Sequence, residues 1–196
     1  MVDKKRIFIA INFDRSFKEN LISIQKKINA NFLDINPIKW TRKENLHLTL
    51  FFVGYVYDSD LMDVFSETEK VVQNYDDFSI NFNEVDFFPR KERNKKMVWV
   101  IGENNQILNQ LQEDLKTKLL GSNNYTKGFI PHITLGRIST FDFKKINSEE
   151  VPQINDEIFI DSEIRVSSVD IMESELKKGG AHYTLLKSFK LWKYIL

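Results

Sequence analysis

The chain has no cysteine, only 4 Pro and 7 Gly in 196 residues, and no net charge, its 28 Lys+Arg matching 28 Asp+Glu. Without cysteine there is no disulfide, no thiolate nucleophile and no Cys-ligated zinc, which fits a reducing, cytoplasmic setting. So little Pro and Gly excludes collagen-like and low-complexity chains. The balanced charge excludes a broad cationic field for coating nucleic acid, so any nucleic-acid contact must be local. Long apolar runs are missing too: Ile7 to Ile11 is far too short for a signal-peptide core or a membrane span, and Asn12 and Asp14 follow at once.

What is present is 42% hydrophobic and 13% aromatic residues, enough for a core that needs neither disulfide nor metal staples. Arg6 to Phe13 predicts a strand, and Phe17, Leu21, Ile24, Gln25 and Ile28 fall at helical spacing behind it. After Asn36-Pro37 comes Ile38-Lys39-Trp40, and then a strand from Leu46 to Val53 closed by Gly54. A helix over Asp58–Tyr75 and a strand over Phe78–Phe88 follow. The first pattern then returns: a strand at Met97–Ile101, a helix carrying Leu108, Leu111 and Leu115 and stopping near Gly121, and a strand from Phe129 to Ile138. Further strands are expected at Glu157–Asp161, Ile164–Ser174 and His182–Trp192, with Gly179-Gly180 as the turn.

The repeated order of strand, helix, loop and His-containing strand indicates an internal duplication. The expected fold is α+β, two antiparallel sheets in a bilobal pseudo-twofold arrangement with helices outside and a central cleft. No linker separates the lobes, so residues 1–196 are expected to form one domain.

Two of the three histidines lie in near-identical tetrapeptides, His47-Leu48-Thr49-Leu50 and His132-Ile133-Thr134-Leu135. Side chains alternate along a strand, so each His shares a face with its Thr while the aliphatic residues face the core. Under a pseudo-twofold axis the two His-Thr pairs converge. Two imidazoles at one site form an acid–base couple that works near neutrality, and the Thr hydroxyls can donate to non-bridging phosphate oxygens. The histidines have neither helical metal-ligand spacing nor a carboxylate companion, so no metal or other cofactor is expected.

The segments RIFIAIN, NLHLTLFFVG, MVWVIG, FIPHITLGRI and ESELKKGGAHYTLL resemble the two-histidine phosphoesterase superfamily, and within it the RNA 2′,3′-cyclic phosphodiesterases long labelled 2′–5′ RNA ligases. The resemblance covers nearly the whole chain. It implies metal-independent opening of 2′,3′-cyclic phosphate ends of RNA to a 2′-phosphate, with reverse 2′–5′ ligation open to the same site. It implies that His47 is the general acid and His132 the general base, with Thr49 and Thr134 holding the phosphate. The pseudo-symmetry itself leaves the two histidines equivalent.

Arg137 matches a basic position of that family, but strand parity puts it opposite His132 unless a bulge intervenes, for which Gly136 is a plausible place. Phe51, read as sharing the His47 face, is the aromatic expected to stack on a terminal base; Phe8, Phe13, Trp40 and Phe129 read as core. His182 reads as a surface residue. The basic cluster of Arg90, Lys91, Arg93, Lys95 and Lys96 reads as a solvated loop or as a contact for RNA phosphates. The partners expected are RNA ends or small cyclic nucleotides, with no membrane and no obligate protein partner. Two rival readings keep the scaffold: a non-catalytic binder of RNA or nucleotide ends, and a phosphodiesterase acting on another small nucleotide.

Overall fold

The structure, a computed structural model, describes residues 4–30, 38–89, 97–121, 128–138, 160–178 and 180–192. Its strands are β1 (Lys4–Asn12), β2 (Ile38–Trp40), β3 (His47–Tyr57), β4 (Phe78–Phe88), β5 (Met97–Gly102), β6 (His132–Ile138), β7 (Ser162–Val166), β8 (Ser168–Lys177) and β9 (Gly180–Lys190). The helices are α1 (Arg15–Ala30), α2 (Leu61–Val72) and α3 (Gln106–Leu120). The strands run in the order β7-β4-β5-β6-β3-β1-β8-β9, with β2 beside β6, and every pairing is antiparallel.

That order reads the same outward from the β6–β3 junction: β5 mirrors β1, β4 mirrors β8 and β7 mirrors β9. The expected duplication is thus present in the topology, with α1 following β1 and α3 following β5. The two expected sheets are the halves of one sheet, nine-stranded among the described residues. They are joined where Leu48 pairs with Ile133.

Each half folds by the same local logic. Ile7, Ile9 and Ile11 of β1 join a core with Leu21, Ile24 and Ile28 of α1, while Phe8 and Ala10 face the other side with Met172. In the second half Val98 and Val100 meet Leu108, Leu111 and Leu115 of α3. Each buried aliphatic side chain contributes about 1.5–3 kcal/mol, so this face sets the register of the sheet. Asp14 caps α1 by accepting from the Phe17 N–H (2.7 Å), and Asn105 caps α3 by accepting from the Leu108 N–H (2.9 Å). Gly121, at φ +81°, ends α3.

Several boundaries differ from the sequence reading. Gly54 does not close β3; its φ of +102° lets the strand bulge and continue to Tyr57. Residues Asp58–Asp60 form a 3-10 turn ahead of α2, the Ser59 hydroxyl donating to the Asp60 carboxylate in a competing local bond. The expected strand from Ile164 to Ser174 breaks at Ser167 into β7 and β8, which lie on opposite flanks of the sheet. Residues 157–159 of another expected strand lie outside the described residues, and Ile160 and Asp161 precede β7 without joining it.

Candidate active site

The site forms where the halves meet. Because β3 and β6 are antiparallel and Leu48 opposes Ile133, His47 falls opposite Thr134 and Thr49 opposite His132. Leu48, Leu50, Ile133 and Leu135 belong to the core under the helices, so all four polar side chains emerge on the other face. His47 and His132 are therefore diagonal neighbours, and in a regular ladder such residues are roughly 7–8 Å apart, a separation that a phosphate group bridges. His47, Thr49, His132 and Thr134 line one cavity of about 80 Å³.

Both rings are oriented by the backbone in the same way. His47 Nδ1 donates to the Asn45 carbonyl (2.7 Å) and His132 Nδ1 to the Ile130 carbonyl (2.8 Å). A carbonyl only accepts, so Nδ1 carries the hydrogen and Nε2 is the nitrogen that exchanges a proton in the neutral ring. His47 Nε2 lies 2.9 Å from the Thr49 hydroxyl. His132 Nε2 has no protein partner among the described residues.

Burial pushes His47 down to about 4, the Asn45 carbonyl opposes that shift, and the positive forms of Lys18 and His132 reinforce it. Burial also lowers His132, against the Ile130 carbonyl. Both imidazoles are therefore neutral bases near pH 7, and an anionic ligand between them would favour protonation.

Two bulges decide what else reaches the cavity. In β3, Ala10 pairs with Thr49 and Ile9 with Phe51, so Leu50 is an extra residue; in β6, Trp99 pairs with Thr134 and Val98 with Gly136, so Leu135 is extra. Past a bulge the alternation of faces inverts. Phe51 therefore enters the core at 8% exposure, while Phe52, 57% exposed, turns toward the histidines. This corrects the expectation that Phe51 shares the His47 face, although Phe51 still borders an adjoining groove of about 700 Å³. The same inversion brings Arg137 onto the His132 face, where it lines both spaces. The bulge it needs is at Leu135 and not at Gly136.

The rings around the histidines were not read as site residues in the sequence. Phe8 lies 5.0 Å from the His47 ring and Tyr183 meets it edge-on at 5.2 Å. His132 stacks on Trp99 at 3.8 Å, and Trp99 on Phe88 at the same distance. Thr41 and Asn45 complete the smaller cavity. A signal for Tyr183 was available, since it adjoins the glycine turn of the closing motif; Trp99 looked like any residue of an apolar strand. His182 is exposed and lines neither space. The cluster of Arg90, Lys91, Arg93, Lys95 and Lys96 lies outside the described residues. Among the described residues no three His, Cys, Asp or Glu side chains gather as a metal site requires, and no helix is long and apolar enough to cross a membrane.

A duplicated α+β sheet presenting one His-x-Thr pair from each half to a single cavity defines a two-histidine class of protein. The family model described as the 2′-5′ RNA ligase superfamily matches residues 27–177, and the chain belongs to that superfamily. A Methanothermobacter thermautotrophicus protein named RNA 2′,3′-cyclic phosphodiesterase is 27% identical over 190 residues, covering 96% of this chain and 100% of the relative. A Thermotoga maritima protein of the same name is 29% identical over 182 residues, 92% of each chain. The fold matches the Thermus thermophilus protein TT0787 with a TM-score of 0.76 at 24% identity, over 96% of this chain and 99% of that one. It also matches E. coli LigT complexed with 3′-AMP, with a TM-score of 0.72 at 22% identity, over 97% and 99% of the respective chains.

Proposed function

We propose that the protein is a metal-independent phosphodiesterase that hydrolyses 2′,3′-cyclic phosphate ends of RNA to 2′-phosphates, residues 1–196 acting as one bilobal unit. The observation that carries this reading is the convergence of His47-Thr49 and His132-Thr134 on one cavity. The names of the curated relatives support the substrate class.

The cyclic phosphate sits between the two rings, its non-bridging oxygens accepting from the Thr49 and Thr134 hydroxyls. His132 Nε2, unpartnered among the described residues, takes a proton from water as the water oxygen bonds to phosphorus. The bond from phosphorus to the 3′ oxygen breaks, and His47 Nε2 delivers a proton to that oxygen, leaving a 2′-phosphate and a 3′-hydroxyl. The anion must first raise His47 from its low value so that it enters the reaction protonated. Arg137 adds positive charge beside the phosphate, and Phe52 offers a face to the terminal base. With a 5′-hydroxyl in place of water, the same groups form a 2′–5′ linkage.

Phosphorus NMR of 2′,3′-cyclic nucleotides incubated with the protein in EDTA tests the reading. A 2′-phosphate product is expected. Loss of turnover on chelation, or binding without consumption, overturns it, the latter in favour of an end-binding module.

A further inference from the structure

Beyond Phe52 the cleft face of the β1–β3 ribbon carries a second pattern. Residues directly opposed across an antiparallel pair share a face, and here Phe8 opposes Phe52, Arg6 opposes Tyr55 and Lys4 opposes Tyr57. The bulge at Val53 preserves this sharing, because it inverts the alternation between Phe52 and Tyr55. Phe52, Tyr55 and Tyr57 are 57%, 73% and 40% exposed, so three aromatic rings stand in a row leading out of the catalytic cavity that Phe52 lines.

Two cations are interleaved with them. The Arg6 guanidinium lies 5.6 Å from the Phe52 ring centre, and Lys4 Nζ lies 4.3 Å from that of Tyr57. Neither has a carboxylate partner among the described residues, whereas Lys5, on the opposite face, is neutralised by Glu173 at 3.1 Å. The row ends at the acidic turn Asp58–Asp60. From Phe8 to Lys4 the ribbon spans roughly 13 Å.

We propose that this strip is a track for single-stranded RNA, holding the nucleotides 5′ of the cyclic phosphate with one base each on Phe52, Tyr55 and Tyr57 and their phosphates at Arg6 and Lys4. The proposal rests on the reading of the site given above and specifies its substrate as an oligonucleotide. Exposed aromatics interleaved with unpaired cations are what a single strand needs, since every base has a face to stack and every linkage a charge to neutralise. Continuity with the cavity selects RNA over a protein partner: a strand whose end is held between the histidines has to leave along one wall of the cleft.

The test compares 2′,3′-cyclic AMP with a tetranucleotide ending in a 2′,3′-cyclic phosphate. In the wild type the tetranucleotide has the lower KM. Tyr55→Ala and Tyr57→Ala each raise its KM by roughly 5- to 150-fold, with kcat and all cyclic AMP kinetics unchanged. Lys4→Gln reduces the slope of log KM against log salt by about 0.7. Equal wild-type KM values for the two substrates, an unmoved tetranucleotide KM in both tyrosine variants, or a change in sedimentation of the free protein in place of a change in KM each overturn the track. The last outcome assigns the strip to contact between proteins. If the wild type turns over neither substrate, the hydrolytic reading falls separately, and fluorescence anisotropy of the labelled tetranucleotide on wild type and Tyr55→Ala still decides the track.

Discussion

Phe52 and Arg137 occupy the same position in the two halves of the molecule. Each stands five residues after its histidine, and each is turned into the cleft by one extra residue, Leu50 in β3 and Leu135 in β6. The duplicated frame thus carries an aromatic from one half and a cation from the other into the same cavity, and in the proposed function this pair sets the direction in which a nucleotide lies. Arg137→Ala is expected to raise KM by roughly 10- to 100-fold through loss of a charge-assisted contact, and Arg137→Lys to recover part of it. Steady-state kinetics on a cyclic nucleotide measures both.

A second symmetry-related pair predicts unequal losses of stability. Gln25 of α1 donates to the carbonyls of Thr41 and Leu135, both at 2.9 Å, while its counterpart Gln112 of α3 donates, among the described residues, to the Leu50 carbonyl alone, at 3.4 Å. The buried carbonyls of both bulges are satisfied from beneath by these glutamines. Gln25→Ala removes the donor to the Thr41 carbonyl and one of two donors to the Leu135 carbonyl, which keeps the Thr41 N–H at 2.8 Å; it should cost about 1–3 kcal/mol, more than Gln112→Ala. Urea unfolding of the two variants ranks them.

Gly136 is required for a steric reason. A β-carbon there would meet Ile38 Cγ2 at 2.6 Å and Trp40 Cε3 at 3.0 Å, because β2 presses against β6. Gly136→Ala should destabilise the protein by roughly 1–3 kcal/mol, overpacking a junction that cannot yield. A lowered urea midpoint with an unchanged slope is the expected signature.

The depressed value of His47 makes stability depend on pH in a defined sense. The unfolded chain takes up this proton near pH 6.5 and the folded protein only near pH 4, so between those values the unfolded state holds more protons and stability falls as pH falls. The full loss from this group is about 3 kcal/mol at pH 4, and His132 adds to it with the same sign. His47→Gln should flatten this part of the profile in urea unfolding between pH 7 and pH 4.

Much of this was legible in the sequence because duplication writes itself twice. The repeated His-x-Thr-Leu placed both histidines and both threonines on corresponding strands of the two halves, and aliphatic alternation identified the face they leave free; that these strands pair directly in one sheet was not legible. Parity failed where the chain departs from a regular ladder. Leu50 and Leu135 look like ordinary core residues, yet each is the inserted position of a bulge, so simple alternation chose Phe51 over Phe52 and turned Arg137 away. Gly54 was read as a terminator because glycine punctuates strands, when its positive φ serves a bulge in a strand that continues. Trp99 and Phe8 were hidden for a related reason: strands at the centre of a covered sheet are apolar on both faces, and alternation is lost.

In the proposed reaction His47 and His132 act on one phosphorus atom in one step. The double-mutant cycle of His47→Ala, His132→Ala and the pair, read as kcat/KM on a 2′,3′-cyclic nucleotide, tests it most directly. Each single substitution should cost roughly 10²–10⁴-fold with the fold retained, and the double variant should lose little more than the worse single one, as groups acting as a unit do. A single variant that keeps the wild-type rate, or losses that multiply in full, would contradict it.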